Sequence, residues 1–173
     1  LHYSIYQDHD VIVRRVVVHN QGQKPIHLKR VLSLSIDFPH DKFELVHLYG
    51  AWARETHLER KPLIKGVQKF SSTRGASSHA HNPFLALVDP NTTEHQGAAY
   101  GFSLIYSGNF LSQIEVDTYN VTRVSMGINP FQFAWTLEPN KSFEAPEVVM
   151  TYSQDGLNGM SQQFHNVYRQ HLL

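Results

Sequence analysis

Residues 25–39 read PIHLKRVLSLSIDFP, and their pattern decides the fold class. Most apolar side chains in this stretch occupy even-numbered positions: Ile26, Leu28, Leu32, Leu34, Ile36 and Phe38. The odd-numbered positions between them carry mainly polar side chains, among them Lys29, Ser33, Ser35 and Asp37. Successive side chains of a strand point to opposite faces, so this alternation puts the apolar set on one face. We therefore predict one long antiparallel strand with one buried face, ended by Pro39.

Strand-like segments continue on both sides of this stretch and are separated by turn-prone residues. We predict strands at residues 2–7, 11–19, 43–49, 63–71, 84–89, 98–106, 110–118, 120–128, 131–137 and 143–152. Pro146 falls within the last of these. Because proline lacks a backbone N–H, it predicts that this strand lies at a sheet edge or carries a bulge. Strands spaced this closely are typical of a large antiparallel β-sandwich.

The period of the apolar residues changes near the end of the chain. Apolar side chains there recur at steps of three and four residues: Leu157, Met160, Phe164, Val167, Tyr168 and Leu172. This spacing predicts an amphipathic helix, with Ser153 or Asp155 as its N-cap. The sequence therefore predicts an all-β fold, a large antiparallel β-sandwich, followed by one C-terminal α-helix.

Composition excludes several classes of function. The 173 residues carry 15 basic and 15 acidic side chains, so no basic excess favours nucleic acid. No apolar run approaches the roughly 20 residues that span a bilayer. Cysteine is absent, which fits a reducing compartment, and we expect a cytoplasmic location. The chain opens on strand-like residues without a methionine or a signal peptide, so we expect it to be a piece of a longer protein.

The least repetitive stretch, residues 49–87, combines YGAWARE (49–55) with FSSTRGASSHAHNPFLAL (70–87). These motifs resemble the N-terminal region of glycoside hydrolase family 36 α-galactosidases of the bacterial type. The resemblance extends through AYGFSLIYSGNF, INPFQFAWTLEP and FHNVYRQHLL, so it covers nearly the whole chain.

The resemblance implies a division of the chain. Residues 1–152 would form most of an N-terminal β-supersandwich, and residues 153–173 a linker helix leading toward a (β/α)8 barrel. In the family the catalytic aspartates lie on that barrel, so we expect no catalytic residue here and no activity of this chain alone. The full-length enzyme would be a retaining hydrolase of terminal α-galactosides such as melibiose and raffinose, without cofactor or metal. Its expected partners are the sugar, the barrel and further copies of itself, since the family forms tetramers.

Trp52, in YGAWARE, is the leading candidate for substrate binding. An indole face suits the apolar C–H face of galactose, and the family's tryptophan at this position approaches the sugar pocket. Arg54 is a secondary candidate, although its neighbours Glu55, Glu59 and Arg60 favour a solvated charged face. Trp135 alternates with two phenylalanines and is predicted to lie in the core.

The loop at residues 74–83 allows three interpretations. His79 and His81 would share a face of an extended segment, as in a metal site, but two ligands make a weak site. Arg74 beside glycine and serines suggests an anion cradle, and we keep Arg74 and His79 as secondary substrate-binding candidates. The favoured interpretation is a tight loop whose side chains satisfy backbone groups and which docks the sandwich on the barrel or a neighbouring subunit.

Three further possibilities stay open at this point. Glu115 and Asp117 lie two apart on a strand like a pair of glycosidase carboxylates, but a solvated face explains them better. A stand-alone carbohydrate-binding module would also use an exposed tryptophan. A mutarotase-like sandwich enzyme would need a histidine acid and a glutamate base, for which His47 or His79 with Glu44 or Glu55 are the pairs to test.

Overall fold

A computed structural model of the chain describes residues 1–172 and has the predicted all-β architecture with a C-terminal helix. Its strands are β1 (His2–Tyr6), β2 (Val11–Arg15), β3 (Val17–His19), β4 (Ile26–Leu28), β5 (Leu32–Phe38), β6 (Glu44–Ala51), β7 (Arg54–Pro62), β8 (Gly66–Ser71), β9 (His81–Val88), β10 (Ala99–Ile105), β11 (Phe110–Val116), β12 (Thr122–Ile128), β13 (Trp135–Leu137), β14 (Ser142–Glu144) and β15 (Glu147–Ser153). A 3₁₀ turn covers Gln7–His9, and helix α1 covers Gly156–His171. No helix among the described residues is long and apolar enough to cross a membrane.

Two antiparallel sheets form the sandwich. The larger sheet has seven strands in the order β1-β2-β15-β10-β9-β6-β7, and the smaller has four in the order β5-β12-β11-β8. The main core lies between them and is built from inward-facing side chains of both sheets, including Leu34, Leu45, Phe70, Leu85, Phe102, Phe110 and Met126. Strand β7 is therefore one of the two edge strands of the larger sheet, next to β6.

Helix α1 covers part of the outer face of the seven-stranded sheet. Leu157, Met160, Phe164 and Val167, which the helical period had placed on one face, are all buried there. Gly101 on β10 permits the close approach, because a Cβ at this position would lie 2.5 Å from the Phe164 ring. Asp155 occupies the predicted N-cap position but makes no side-chain cap bond. Instead, carbonyls of residues 93–97 accept the first helical N–H groups.

The predicted single strand at residues 25–39 is wrong, because the chain is divided between two sheets there. Strand β4 pairs with β13 in a separate two-stranded sheet, whereas β5 pairs with β12 in the sandwich. The reason is Val31, an apolar residue at an odd position, which is buried in a third small cluster with Leu137 and Phe143. Leu34, Ile36 and Phe38 do face the main core, as the alternation predicted for the second half of the stretch.

The edge position predicted from Pro146 is also wrong, because the strand after it lies inside the larger sheet. Strand β15 is flanked by β2 and β10, and the proline falls in the gap between β14 and β15. The predicted strand at residues 11–19 breaks at the matching point, Val16, whose carbonyl accepts a hydrogen bond from Ala145 N at 2.9 Å. Strands β3 and β14 therefore pair in a separate two-stranded sheet, and β2 and β15 pair in the larger sheet. The break between the two sheets accommodates the missing N–H of proline.

Candidate functional site

The hairpin of β6 and β7 carries the most unusual residues of the chain and forms the sheet edge. Residues 52–58 are all exposed, whereas residues 59–61 are half-buried at its base. Ala53 in the turn has a φ of 62°, in the left-handed region. Gly50 is required on the opposite strand, because a Cβ there would lie 2.7 Å from the Arg54 carbonyl oxygen. Tight backbone geometry thus defines the shape of the tip.

Trp52 lies at the tip of this hairpin with 85% of its surface exposed. An indole in this position contributes nothing to the core of the domain. The prediction that Trp135 lies in the core is wrong, because its side chain is 50% exposed. It packs only partly, with its ring centroid 5.3 Å from that of Phe143, on the two-stranded sheet of β4 and β13 outside the sandwich.

The charged residues after Trp52 divide into two groups. Arg54 and Glu55 face solvent as predicted, and a Glu55 carboxylate oxygen accepts a bond from Ala53 N at 2.9 Å, within the turn. The same prediction is wrong for Glu59 and Arg60. Both are half-buried and bonded to the body of the domain, because β7 runs back over polar groups of β6 and of residues 89–92.

Arg60 fixes the base of the hairpin on the outer face of the sheet. Its Nε donates to Glu44, and its Nη1 and Nη2 reach three backbone carbonyls, those of Asp89, Pro90 and Thr92, at 2.5–3.1 Å. A guanidinium can bind several acceptors at once in a fixed plane. Arg60 therefore ties the edge strand to the turn that follows β9.

His47 fixes the base on the inner face of the sheet. It is 2% exposed, and its Nε2 donates to the Glu59 carboxylate on the adjacent strand. Its ring stacks on Phe70 of the opposite sheet, with centroids 3.9 Å apart and an angle of 26°. Lys61 Nζ lies 3.1 Å from the same Glu59 oxygen and 5.2 Å from the Phe70 ring centroid. We call these four residues the base cluster.

Burial and charge shift the titration of the base cluster in defined directions. Burial lowers the pKa of His47, and the hydrogen bond to Glu59 opposes this only in part. Hydrogen bonds from Lys61 and His47 lower the pKa of Glu59. Burial also lowers the pKa of His81, whose ring lies 6.0 Å from that of His47. At neutral pH the arrangement is therefore a neutral imidazole beside a carboxylate.

The favoured interpretation of the loop at residues 74–83 is met by one of its own side chains, since the Ser78 hydroxyl accepts a bond from Ala80 N at 3.2 Å, and neighbouring groups satisfy other backbone atoms. The Ser72 hydroxyl donates to the Ala76 carbonyl, and Gly75 N donates to the Asn109 side-chain oxygen at 2.7 Å. Gly50 N donates to the Ala80 carbonyl at 3.2 Å. The end of the loop therefore lies beside the hairpin strand that leads to Trp52, while Arg74 and His79 are exposed.

The alternative chemical sites do not assemble. No group of three or more potential metal ligands occurs among residues 1–172. Asp117 accepts the backbone N–H groups of Tyr119 and Val121 and so closes a turn. Two of the residues considered for a mutarotase-like centre are bound to other partners, His47 to Glu59 and Glu44 to Arg60. The sequence contains both members of the His47–Glu59 pair, but their pairing depends on the strand register.

Comparison with known protein families decides the identity of the domain. The model of the glycosyl hydrolase family 36 N-terminal domain matches residues 1–138, and the melibiase model matches residues 142–173. The chain belongs to the glycosyl hydrolase family 36 N-terminal domain family. The resemblance expected from residues 49–87 is thereby confirmed.

Relatives of this family 36 domain are much longer proteins. Alpha-galactosidase AgaA of Geobacillus stearothermophilus is 56% identical over 99% of this chain, which corresponds to 24% of that protein. Alpha-galactosidase C of Emericella nidulans is 47% identical over the whole chain and 23% of that protein. The chain thus spans about a quarter of the length of the curated relatives it matches.

Solved structures of family 36 enzymes share the fold closely. A crystal structure of an AgaA variant in complex with stachyose matches with a TM-score of 0.95 and 56% identity, covering 97% of this chain and 23% of that one. The alpha-galactosidase from Lactobacillus brevis matches with a TM-score of 0.95 and 46% identity over the same shares.

Proposed function

We propose that this domain belongs to a retaining α-galactosidase and shapes its sugar pocket through Trp52. The observation that carries the proposal is the 85% exposed indole, held at the tip of a hairpin whose base is fixed on both sheet faces. A flat apolar ring in a defined orientation suits the C–H face of a galactosyl group. Arg54, Arg74 and His79, exposed near the same edge, are secondary candidates for binding sugar hydroxyls.

The chemistry itself belongs to the part of the enzyme outside this chain. Hydrolysis with retention requires two carboxyl groups about 5 Å apart, one as nucleophile and one as acid and base. We assign both to a (β/α)8 barrel that follows residues 153–173, with residues 1–152 as the sandwich domain. The substrates would be terminal α-galactosides such as melibiose and raffinose.

Contacts with the barrel would use a groove between α1 and the hairpin. The groove has a volume of about 490 Å³, and its walls include Val46, Leu58, Phe84 and Phe164. Leu58 is 53% exposed in it. Apolar walls of this kind are typical of contact surfaces. We propose that the barrel covers this groove, that the loop at residues 74–83 docks on the barrel or a second subunit, and that the enzyme is a homo-oligomer.

The absence of cysteine supports a cytoplasmic location.

The test compares the 173-residue chain with the full-length gene product on a chromogenic α-galactoside. We expect hydrolysis by the full-length protein, retention of anomeric configuration by NMR, and no hydrolysis by the chain alone. Hydrolysis by the purified chain, or none by the full-length protein, would overturn the proposal. Calorimetry on the chain examines the rival function, because detectable galactoside binding would make it a stand-alone carbohydrate-binding module.

A further inference from the structure

In the hairpin that carries Trp52, strand β6 pairs with β9 from Glu44 to Tyr49, whereas β7 is attached to the domain body mainly at one end. Strand β7 has a neighbour only on its β6 side, and residues 52–58 are all exposed. The side-chain contacts of β7 with the domain body are concentrated at Glu59, Arg60 and Lys61. At about 3.3 Å per residue, His47 lies roughly 16 Å along the strand from the tip. The position of the indole therefore depends on how β7 is held against β6 at the base.

The base cluster forms a closed ring of contacts that joins three strands. His47 on β6 donates to Glu59 on β7, and Glu59 binds Lys61. The Lys61 ammonium lies over Phe70 on β8, and Phe70 stacks on His47. The ring thus connects both sheets at the base of the edge strand β7.

Packing alone does not explain a histidine at this position. Neighbouring side chains on the same face of the sheet, Leu45 and Leu85, are fully buried apolar residues. The Nδ1 atom of His47 is buried without a hydrogen-bond partner among the described residues, which costs free energy that an apolar side chain would not. A buried histidine that costs stability but bonds to a half-exposed carboxylate on the next strand is best explained by a requirement for defined geometry.

We propose that His47 and Glu59 are positioning residues that fix the orientation of the hairpin and so of Trp52. The Nε2–H of neutral His47 donates to Glu59 and sets the angle between β6 and β7. The stack on Phe70 prevents the imidazole from rotating away. The expected effect on catalysis rests on the proposed function. The role of the two residues in orienting the hairpin rests only on the contacts within this domain.

The test uses two substitutions of His47 in the full-length protein. His47→Leu keeps the apolar volume but loses the donor, whereas His47→Gln places an amide N–H near the position of Nε2. We expect amide hydrogen exchange in residues 48–58 to rise about tenfold or more in His47→Leu and to stay near the wild-type rate in His47→Gln. Unchanged exchange in His47→Leu, or an equal rise across the whole domain, would contradict the proposal.

Enzyme kinetics then measure how the orientation of the hairpin affects the binding of the sugar. We expect kcat/KM for melibiose to fall about tenfold in His47→Leu, mainly through KM, and to recover in His47→Gln, because displacement of a substrate contact weakens binding. Glu59→Gln in the His47→Leu background should add little, since both changes remove the same bond. Altered exchange without any α-galactosidase activity in the wild type would support the positioning role and reject the proposed function. Equal loss in the leucine and glutamine variants would reject the positioning role alone.

Discussion

The imidazole of His47 lies nearly parallel to the phenyl ring of Phe70, with centroids 3.9 Å apart, and brings a titratable group into the core between the two sheets. The groups that face it are Glu59 and Lys61 on β7, His81 on β9 and Tyr49 on its own strand. Burial favours the neutral ring, so the folded-state pKa of His47 lies below the ordinary value of about 6.5.

The lowered pKa of His47 predicts loss of stability in mild acid. Its contribution is fully present above the unfolded pKa of about 6.5, and it is lost as pH falls through the lower folded-state pKa. We expect the free energy of unfolding, measured by urea titration of the chain, to fall with pH in this window. His47→Gln should weaken that dependence, while His95→Gln, at an exposed position, should leave it intact. A dependence unchanged by His47→Gln would assign the effect to other groups.

Two arginines on β7 provide a matched test of whether Arg60 clamps this strand to the domain body. Arg60→Ala removes the bonds to Glu44 and to three carbonyls, so we expect destabilisation of about 1–3 kcal/mol. Arg60→Lys should not restore the loss, because an ammonium cannot reach these acceptors in one plane. Arg54→Ala, on the exposed part of the same strand, should change stability by about 0.5 kcal/mol or less. Equal effects at the two positions, measured by thermal unfolding, would show that Arg60 is not a clamp.

Two phenylalanines test the docking of the C-terminal helix. Phe164 is 5% exposed and lies against Gly101, so Phe164→Ala should cost about 3–5 kcal/mol. Phe131 is 53% exposed, and Phe131→Ala should cost about 0.5 kcal/mol or less. Urea denaturation of both variants measures the difference. A small effect of Phe164→Ala would mean that α1 contributes little to the stability of the sandwich.

The sequence predicted the fold class because strands and turns are specified locally. The alternation at Leu34, Ile36 and Phe38 and the three- and four-residue steps from Leu157 depend only on which face is buried. The break at Val31 was not predicted because it requires a third core cluster built with Leu137, far along the chain. The exposure of Trp135 likewise follows from the pairing of β13 with β4 outside the sandwich, which the residues next to it in sequence do not predict.

The candidate site was predicted in part. Trp52 stands out in the sequence because it lies among charges, and the structure places it at an exposed tip. Strand β7 was not predicted, because its side chains are mostly charged rather than alternately apolar, although its backbone pairs with β6. The His47–Glu59 pair follows from antiparallel register, which brings residues 12 apart in sequence side by side. The sequence did contain one indication of this pair. His47 lies two residues after Leu45 and so on the same apolar face of the strand, where a histidine needs a hydrogen-bond partner.

The most direct test of the account is substitution of Trp52 in the full-length protein. We expect Trp52→Ala to lower kcat/KM for melibiose about tenfold to hundredfold, since loss of a buried apolar contact of about 1.5–3 kcal/mol corresponds to that range. Tyr119→Ala is the control, because Tyr119 is 84% exposed at another turn. It should change kcat/KM by no more than about twofold, within the usual range for surface substitutions. Equal kcat/KM values for the Trp52→Ala and Tyr119→Ala variants would contradict the central claim that this domain reaches the sugar through Trp52.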